Sequence, residues 1–313
     1  MEGKGQIGPH DHGRTRCSGV GGDQPMKLFA WGLGYVARRL HELSKDVALS
    51  GTSRGLESVA EWRRRGVRAH PFGDPSNQYL IDDALGADVW LCSVPPVEGR
   101  DPVVDYCIQA RLHPAAYTIY LSATSVYGGH DGGFRDEFAP TDSLSKRGMA
   151  RKTAEGEWSY LCGARGRRLA LMRLSGIYGP GRNALQRVAA GQAFSAFLPG
   201  QVTSRIHVDD IVSGIQQLCS GAGIEGVFNM ADDFAAPSAV VNEYAAELLN
   251  LPKPERVAPD DPRVGPGVAS FMEANRRIYG RRLREELGWA PQYPTYREGL
   301  KACLDPQMLK ATD

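Results

Sequence analysis

The 313-residue chain has no run of about 18 apolar residues, so nothing in it reads as a membrane-spanning helix. It has no excess of charge either. Its 37 Lys and Arg stand against 36 Asp and Glu, a net charge of +1, which is not the electrostatic footprint of a nucleic-acid or acidic-membrane binder. Cysteine is sparse and scattered: Cys17, Cys92, Cys107, Cys162, Cys219 and Cys303 include no Cys-x-x-Cys pair. That usage argues against a disulfide scaffold or a zinc site and suits a reduced, cytoplasmic protein. No internal repeat is visible. Residues 1–25 carry almost no large apolar side chains and no apolar stretch of signal-peptide type, and are expected to form a disordered extension. His10 and His12 near Cys17 fall in that extension and are not read as a metal site. The full chain is 42% hydrophobic and 23% charged, an ordinary globular composition with residues enough for a sizeable core.

From Met26 onward, apolar runs alternate with helical spacing. Strands are expected at Lys27–Trp31, Val47–Leu49, Val67–Phe72, Ala87–Cys92, Thr118–Ser122 and Leu169–Leu174. Helices are expected at Gly34–Ser44, Glu57–Arg65 and Arg147–Leu161. This rhythm predicts an α/β fold: a Rossmann-type doubly wound parallel sheet with helices on both faces. After Tyr178 the pattern changes. SRIHVDDIVSGI reads as a strand entering a helix capped by Asp209 or Asp210, and Ser238–Leu249 reads as a helix. Residues 252–267, with five prolines and two glycines, read as a loop, and Asn275–Leu287 as a helix ending at Gly288. Residues 26–178 are therefore expected to form the dinucleotide-binding domain, with 205–232 returning to it. Residues 179–204 and 233–313 would form a smaller C-terminal substrate subdomain.

GLGYVA, Gly32 to Ala37, follows a strand and opens a helix. Gly32 suits the tight turn, Gly34 lets the backbone approach a pyrophosphate, and Ala37 lets helix and strand pack closely. Tyr35 and Val36 then offer backbone amides at the helix start. About 20 residues on, where NAD-preferring folds place an acidic residue, stand Thr52, Ser53 and Arg54. Two hydroxyls and a guanidinium suit a 2′-phosphate, so the expected cofactor is NADP.

Several further segments fall in order: SVPP (93–96), LSATSVYGG (121–129), DEFAPTDS (136–143), RLSGIYGPGR (173–182), RIHVDDI (205–211) and ELGWAPQYPTYREGL (286–300). Together with GLGYVA they resemble the extended short-chain dehydrogenase/reductase superfamily, in its NAD-dependent epimerase/dehydratase branch, across residues 26–303. The resemblance implies cofactor contacts from Ser93, Val94, Pro95 and Ser122. It also implies a Ser or Thr four residues before the Tyr of VYG and a Tyr-x-x-x-Lys pair before a helical Glu. Here those positions hold Ala123, Arg147 and Arg151, so the chain is similar to the atypical members that lack the usual catalytic side chains. Arg keeps its proton and cannot serve as the acid.

Tyr127 and Thr124, at the end of the fifth strand, are the substitutes to consider, with Arg147 and Arg151 beside them as fixed cations. Tyr178, Arg182 and His207 are candidates for substrate contact. Arg147, Arg151, Arg173, Arg182 and Arg205 fall in segments that border one crevice, which suits a small metabolite carrying a carboxylate or phosphate. The reading is an NADP-dependent oxidoreductase acting on such a small molecule. A nucleotide-sugar epimerase or dehydratase is one alternative, and a catalytically silent NADP-binding sensor is the other. No metal, nucleic acid or membrane partner is expected, and a homodimer is possible.

Overall fold

In Met26–Trp31 successive side chains face opposite ways: Leu28 and Ala30 enter one apolar cluster, Phe29 and Trp31 another. All four are fully buried, as a strand must be when helices cover both faces of its sheet. The computed structural model describes residues 24–129, 131–192, 194–221, 223–265, 272 and 274–305. The expected disordered extension lies outside the described residues, apart from Gln24 and Pro25.

The chain runs through β1 (Met26–Trp31), α1 (Tyr35–Leu43), β2 (Val47–Ser53), α2 (Leu56–Arg64), β3 (Arg68–Pro71), α3 (Gln78–Leu85) and β4 (Val89–Cys92). It continues with α4 (Pro102–Gln109), β5 (Tyr117–Ala123), β6 (Phe134–Arg135), α5 (Lys146–Gly163), β7 (Arg168–Leu174) and β8 (Gly176–Tyr178). Then come α6 (Ala184–Ala189), β9 (Phe194–Ala196), β10 (Arg205–His207), α7 (Val208–Ser220), β11 (Gly226–Met230) and α8 (Ser238–Leu248). The last elements are β12 (Glu255–Val257), β13 (Arg277–Ile278), α9 (Arg281–Leu287) and α10 (Tyr296–Ala302). No helix among the described residues is long and apolar enough to cross a membrane.

The central seven-stranded sheet has the order β11-β7-β5-β4-β1-β2-β3, with every neighbouring pair parallel. The chain winds from β1 outward to β3, then returns to β4 on the other side of β1. The order thus reverses between β1 and β4, and ligands of doubly wound sheets bind at the carboxyl ends of strands at that switch point. The expected fold class is the observed one. Short parallel pairs, β8 with β10 and β9 with β12, lie outside this sheet near a third apolar cluster built on Leu185, Val188, Val241, Leu249, Tyr296 and Leu300.

Four local expectations are corrected. His207, not Asp209 or Asp210, caps α7: its Nδ1 accepts from the Asp209 N–H at 3.2 Å. Asp210 is instead fully buried and accepts from the N–H groups of Gln292 and Tyr293. The expected helix over Asn275–Leu287 begins only at Arg281, because Arg277–Ile278 pairs with Phe134–Arg135 as a strand. The loop over 252–267 contains the strand Glu255–Val257. Leu283 and Trp289 join the apolar cluster on the central sheet, so that stretch belongs with the Rossmann core and not with the smaller subdomain. The helix end at Gly288, in the left-handed region, is as expected.

A buried polar network ties these layers together. Arg173 on β7 donates from Nε and Nη2 to both oxygens of Glu155 on α5, at 2.9 and 2.7 Å. Ser122 on β5 donates to the same carboxylate at 2.6 Å. The Arg173 Nη1 donates to the Tyr127 hydroxyl at 2.9 Å, which donates in turn to Asn229 Oδ1 on β11 at 2.8 Å. Glu137 extends the chain by accepting from the N–H groups of Asn229, Arg281 and Arg282, which places a carboxylate on the first amides of α9.

Glu155 and Arg173 are each only 6% exposed, so removing one charge leaves the other stranded. Glu155→Gln is expected to cost about 3–5 kcal/mol of stability in urea denaturation. A loss under about 1 kcal/mol would mean that the pair is not the tie described here.

Candidate functional site

Three backbone and side-chain contacts hold the turn after β1. The Gly32 N–H donates to Thr52 Oγ1 at 3.1 Å, and the Leu33 N–H donates to Thr52 O at 2.7 Å. From the other side, Ser93 Oγ donates to Gly32 O at 2.9 Å. Gly32 has φ +98°, and a β-carbon there would lie 2.7 Å from Ser93 Oγ, so only glycine fits between β2 and β4.

Gly34 differs. It is the N-cap of α1 with an ordinary φ of −99°, yet no side chain caps the helix. A β-carbon at Gly34 would meet nothing within 4 Å. Open space therefore adjoins amides that helix geometry leaves without internal partners, and the helix dipole favours an anion there. The residues fit a dinucleotide: the amides of Tyr35 and Val36 would hold its pyrophosphate in the space left open at Gly34, whose own N–H donates to Gly32 O at 2.9 Å. At the end of β2, Ser53 bonds Ser58, and Arg54 is exposed with no ion pair among the described residues. Val94 and Pro95 follow Ser93 at the end of β4, partly and fully exposed.

Two residues expected at the cofactor are elsewhere. Thr52 is fully buried and braces the glycine turn from behind, and Ser122 is held by Glu155. The expected acid, Tyr127, is also corrected. It is 0% exposed, its hydroxyl is engaged by Arg173 and Asn229, and burial holds its pKa above the usual tyrosine range. Such a hydroxyl cannot hand its proton to a ligand in the crevice. Thr124 is buried in the short turn after β5. Arg151 donates to the Tyr120 hydroxyl at 3.0 Å and to Leu121 O at 3.1 Å, while Arg147 is exposed.

His207 is 1% exposed and is not a substrate contact. Because its Nδ1 accepts a backbone N–H, its proton sits on Nε2, 3.4 Å from Cys303 Sγ. Burial pulls its pKa down to about 4, so the ring is neutral at physiological pH. Tyr178 packs edge-on against it.

The structure brings other expected residues together around a cavity of about 610 Å³ between β8, α6, β9, α8 and α10. Tyr178, Arg182 and Arg205 line it, with Phe194 and Tyr296 supplying apolar surface. Arg187 and Arg263 line it too, and no sequence motif announced either. Arg263 is bound by Asp261 and Glu255. Arg187 and Arg205 form no ion pair among the described residues; Arg187 donates to Asn242 Oδ1 at 3.1 Å. The cavity adjoins the glycine turn through Arg182, whose guanidinium carbon lies 5.8 Å over the Tyr35 ring. The Tyr35 hydroxyl donates to Pro180 O at 2.8 Å, and burial pushes its pKa to about 12. Of the five arginines expected at the crevice, Arg173 is neutralised in the core. No group of three His, Cys, Asp or Glu among the described residues could hold a metal.

No family model matches the chain. A Streptomyces protein described as 3-diazoavenalumate denitrifying reductase is 31% identical over 138 residues, which cover 42% of this chain and 45% of that one. The chain thus aligns with less than half the length of that relative. A functionally unknown conserved protein from Silicibacter pomeroyi is 34% identical, with 89% of this chain and 98% of that chain covered and a TM-score of 0.77. UDP-glucuronic acid 4-epimerase from Bacillus cereus, solved in complex with NAD, shares the fold at a TM-score of 0.69 and 14% identity, over 92% of this chain and 99% of its own.

The two glycines separate fold from ligand binding. Gly34→Val is expected to leave thermal stability nearly unchanged while lowering dinucleotide affinity at least thirtyfold in calorimetric titration. Unaltered binding in a folded Gly34→Val protein would remove α1 from the nucleotide site.

Proposed function

Since the chain belongs to the family of the S. pomeroyi protein, and its fold is that of the extended short-chain dehydrogenases/reductases of NAD-dependent epimerase/dehydratase type, we propose that it is an NADP-dependent oxidoreductase of a small anionic metabolite. The observation that carries this reading is the arginine-lined cavity beside the glycine turn. The exposed Arg187 and the half-buried Arg205 line one cavity with no carboxylate bonded to either among the described residues, and two like charges side by side favour a ligand that brings negative charge. A carboxylate or phosphate on the substrate supplies it. The cavity's volume suits a small molecule.

Tyr35 and Val36 bind the pyrophosphate through backbone amides beside the open space at Gly34, and Arg54 with Ser53 takes the 2′-phosphate. When bound, the dinucleotide supplies or accepts hydride. Arg151, fixed against Tyr120 and Leu121, and the exposed Arg147 stand where relatives place their proton-transferring pair, and neither gives up a proton at neutral pH. Solvent therefore supplies the proton in this reading. The Streptomyces relative's description as a reductase supports a reduction. The alternative, chemistry on a nucleotide sugar, draws on the fold shared with the epimerase.

Two measurements test these assignments. NADPH is expected to bind more tightly than NADH, with Arg54→Ala weakening NADPH by about 1.5–3 kcal/mol and leaving NADH unchanged. Equal affinities in both proteins would remove the 2′-phosphate assignment. NADPH oxidation, followed at 340 nm across carbonyl, imine and enoyl acids, is expected with an acid. It is expected to fall at least tenfold in Arg187→Met. Turnover of UDP- or dTDP-sugars, with none of any small acid, would instead favour the nucleotide-sugar reading.

A further inference from the structure

The Arg205 guanidinium is held in the cavity wall by neutral acceptors alone. Its Nη1 donates to Thr203 O and Ala236 O, both at 2.8 Å, and its Nη2 to Ser238 Oγ at 3.1 Å. These contacts fix the direction of the cation without neutralising it. Asp232 lies alongside: its backbone N–H donates to Arg205 O at 2.7 Å. Its side chain makes no ion pair with Arg205 within 4 Å. Asp232 is 4% exposed; Oδ1 accepts from the Phe234 N–H at 3.3 Å, and Oδ2 is buried with no hydrogen-bond partner. A buried carboxylate with one oxygen left bare is a costly species, and a carboxyl so placed keeps its proton instead.

We propose that Asp232 is a switch on this cation: as a neutral acid it leaves Arg205 to an anion in the cavity, and on ionising it claims the guanidinium for itself. The inference rests on the reading of the cavity as an anion site and names the residue that sets its charge. Burial raises the Asp232 carboxyl to about 8, against the opposing pull of Arg205. The charged and titratable groups around the pair come from several elements. Asp233 neighbours Asp232 in the chain, Arg187 reaches in from α6, Tyr178 from β8 and Tyr296 from α10. Both tyrosines are raised above their usual range by burial, and the arginines remain cationic below pH 9. Asp210, which also acts on Tyr178, is shifted only to about 6. Asp232 is therefore the group around the pair whose charge changes between pH 7 and 9. The sign follows: anion affinity is full while Asp232 holds its proton and falls as pH rises through about 8.

Sulfate keeps one charge state over this range and serves as the probe. Sulfate affinity would be measured by calorimetry at constant ionic strength, at pH 6.5, 7.5 and 9.0, on the full chain, Asp232→Asn, Arg205→Met and Arg187→Met. The unaltered protein is expected to lose roughly eightfold between pH 7.5 and 9.0, while Asp232→Asn stays flat and matches it at pH 6.5. Arg205→Met should bind at least tenfold more weakly throughout. An equal alkaline loss in Asp232→Asn, or a tenfold tighter complex in that variant at pH 6.5, would overturn the switch while leaving the cavity as an anion site. Sulfate affinity indifferent to both Arg205→Met and Arg187→Met would overturn the cavity reading and the switch with it. If Asp232→Asn does not fold, the carboxyl carbon signal of Asp232 in the unaltered protein decides. A midpoint near 8 supports the switch, and one below 5 refutes it.

Discussion

The constraint on which the rest of the molecule depends is that Arg173 and Glu155 must be buried together. The pair lies between β7 and α5, where a guanidinium without its carboxylate would be ruinous, and it draws three neighbouring side chains into line. Ser122 donates to the Glu155 Oε1 that also accepts from Arg173 Nε, Tyr127 takes the third arm of Arg173, and Asn229 orients the Tyr127 hydroxyl. Through Asn229 the network reaches Glu137, and through Glu137 the start of α9. An element far along the chain is thereby docked against β11. Low local dielectric strengthens each of these bonds and makes each expensive to leave unmade.

This network explains why the most plausible acid in the sequence is not one. Tyr127 stands just past the carboxyl end of β5, at the edge of a parallel sheet where ligands bind. Its hydroxyl is nevertheless engaged on both sides, with no share left for a ligand. The same segments carry two functions that composition does not distinguish. VYG secures the core, while GLGYVA leaves an open cradle at Gly34.

How far the sequence could be read follows from this distinction. Strand alternation and the glycine spacing are local, period-bound signals, and Leu28 to Trp31 and Gly32 to Ala37 express them within a few residues. They point directly to the doubly wound sheet and the glycine turn. Thr52, Ser122 and Tyr127 were misassigned because each lies one side-chain direction away from the crevice, and strand direction inside a turn is set by tertiary partners. The expected helix overruns the start of α9 because Arg277 and Ile278 pair with Phe134 and Arg135, a contact 143 residues away along the chain. Arg187 and Arg263 carry no motif; only folding brings them to the cavity beside Arg182 and Arg205.

Arginine is the residue whose meaning depends most on what the fold places against it. Arg173 meets a carboxylate and becomes structure. Arg39 meets Asp209 in a two-bond pair and joins α1 to α7. Arg151 meets a phenol and a carbonyl, keeps its charge, and is immobilised. Arg205 meets three neutral acceptors and keeps its charge facing a cavity. A count of cations near a crevice therefore says little about binding. The informative quantity is how many of them are left without an anionic partner, because the electrostatic cost of such a cation persists in the folded state until a ligand removes it. By that measure Arg187 and Arg205 differ from Arg263 in the same cavity, which Asp261 and Glu255 neutralise.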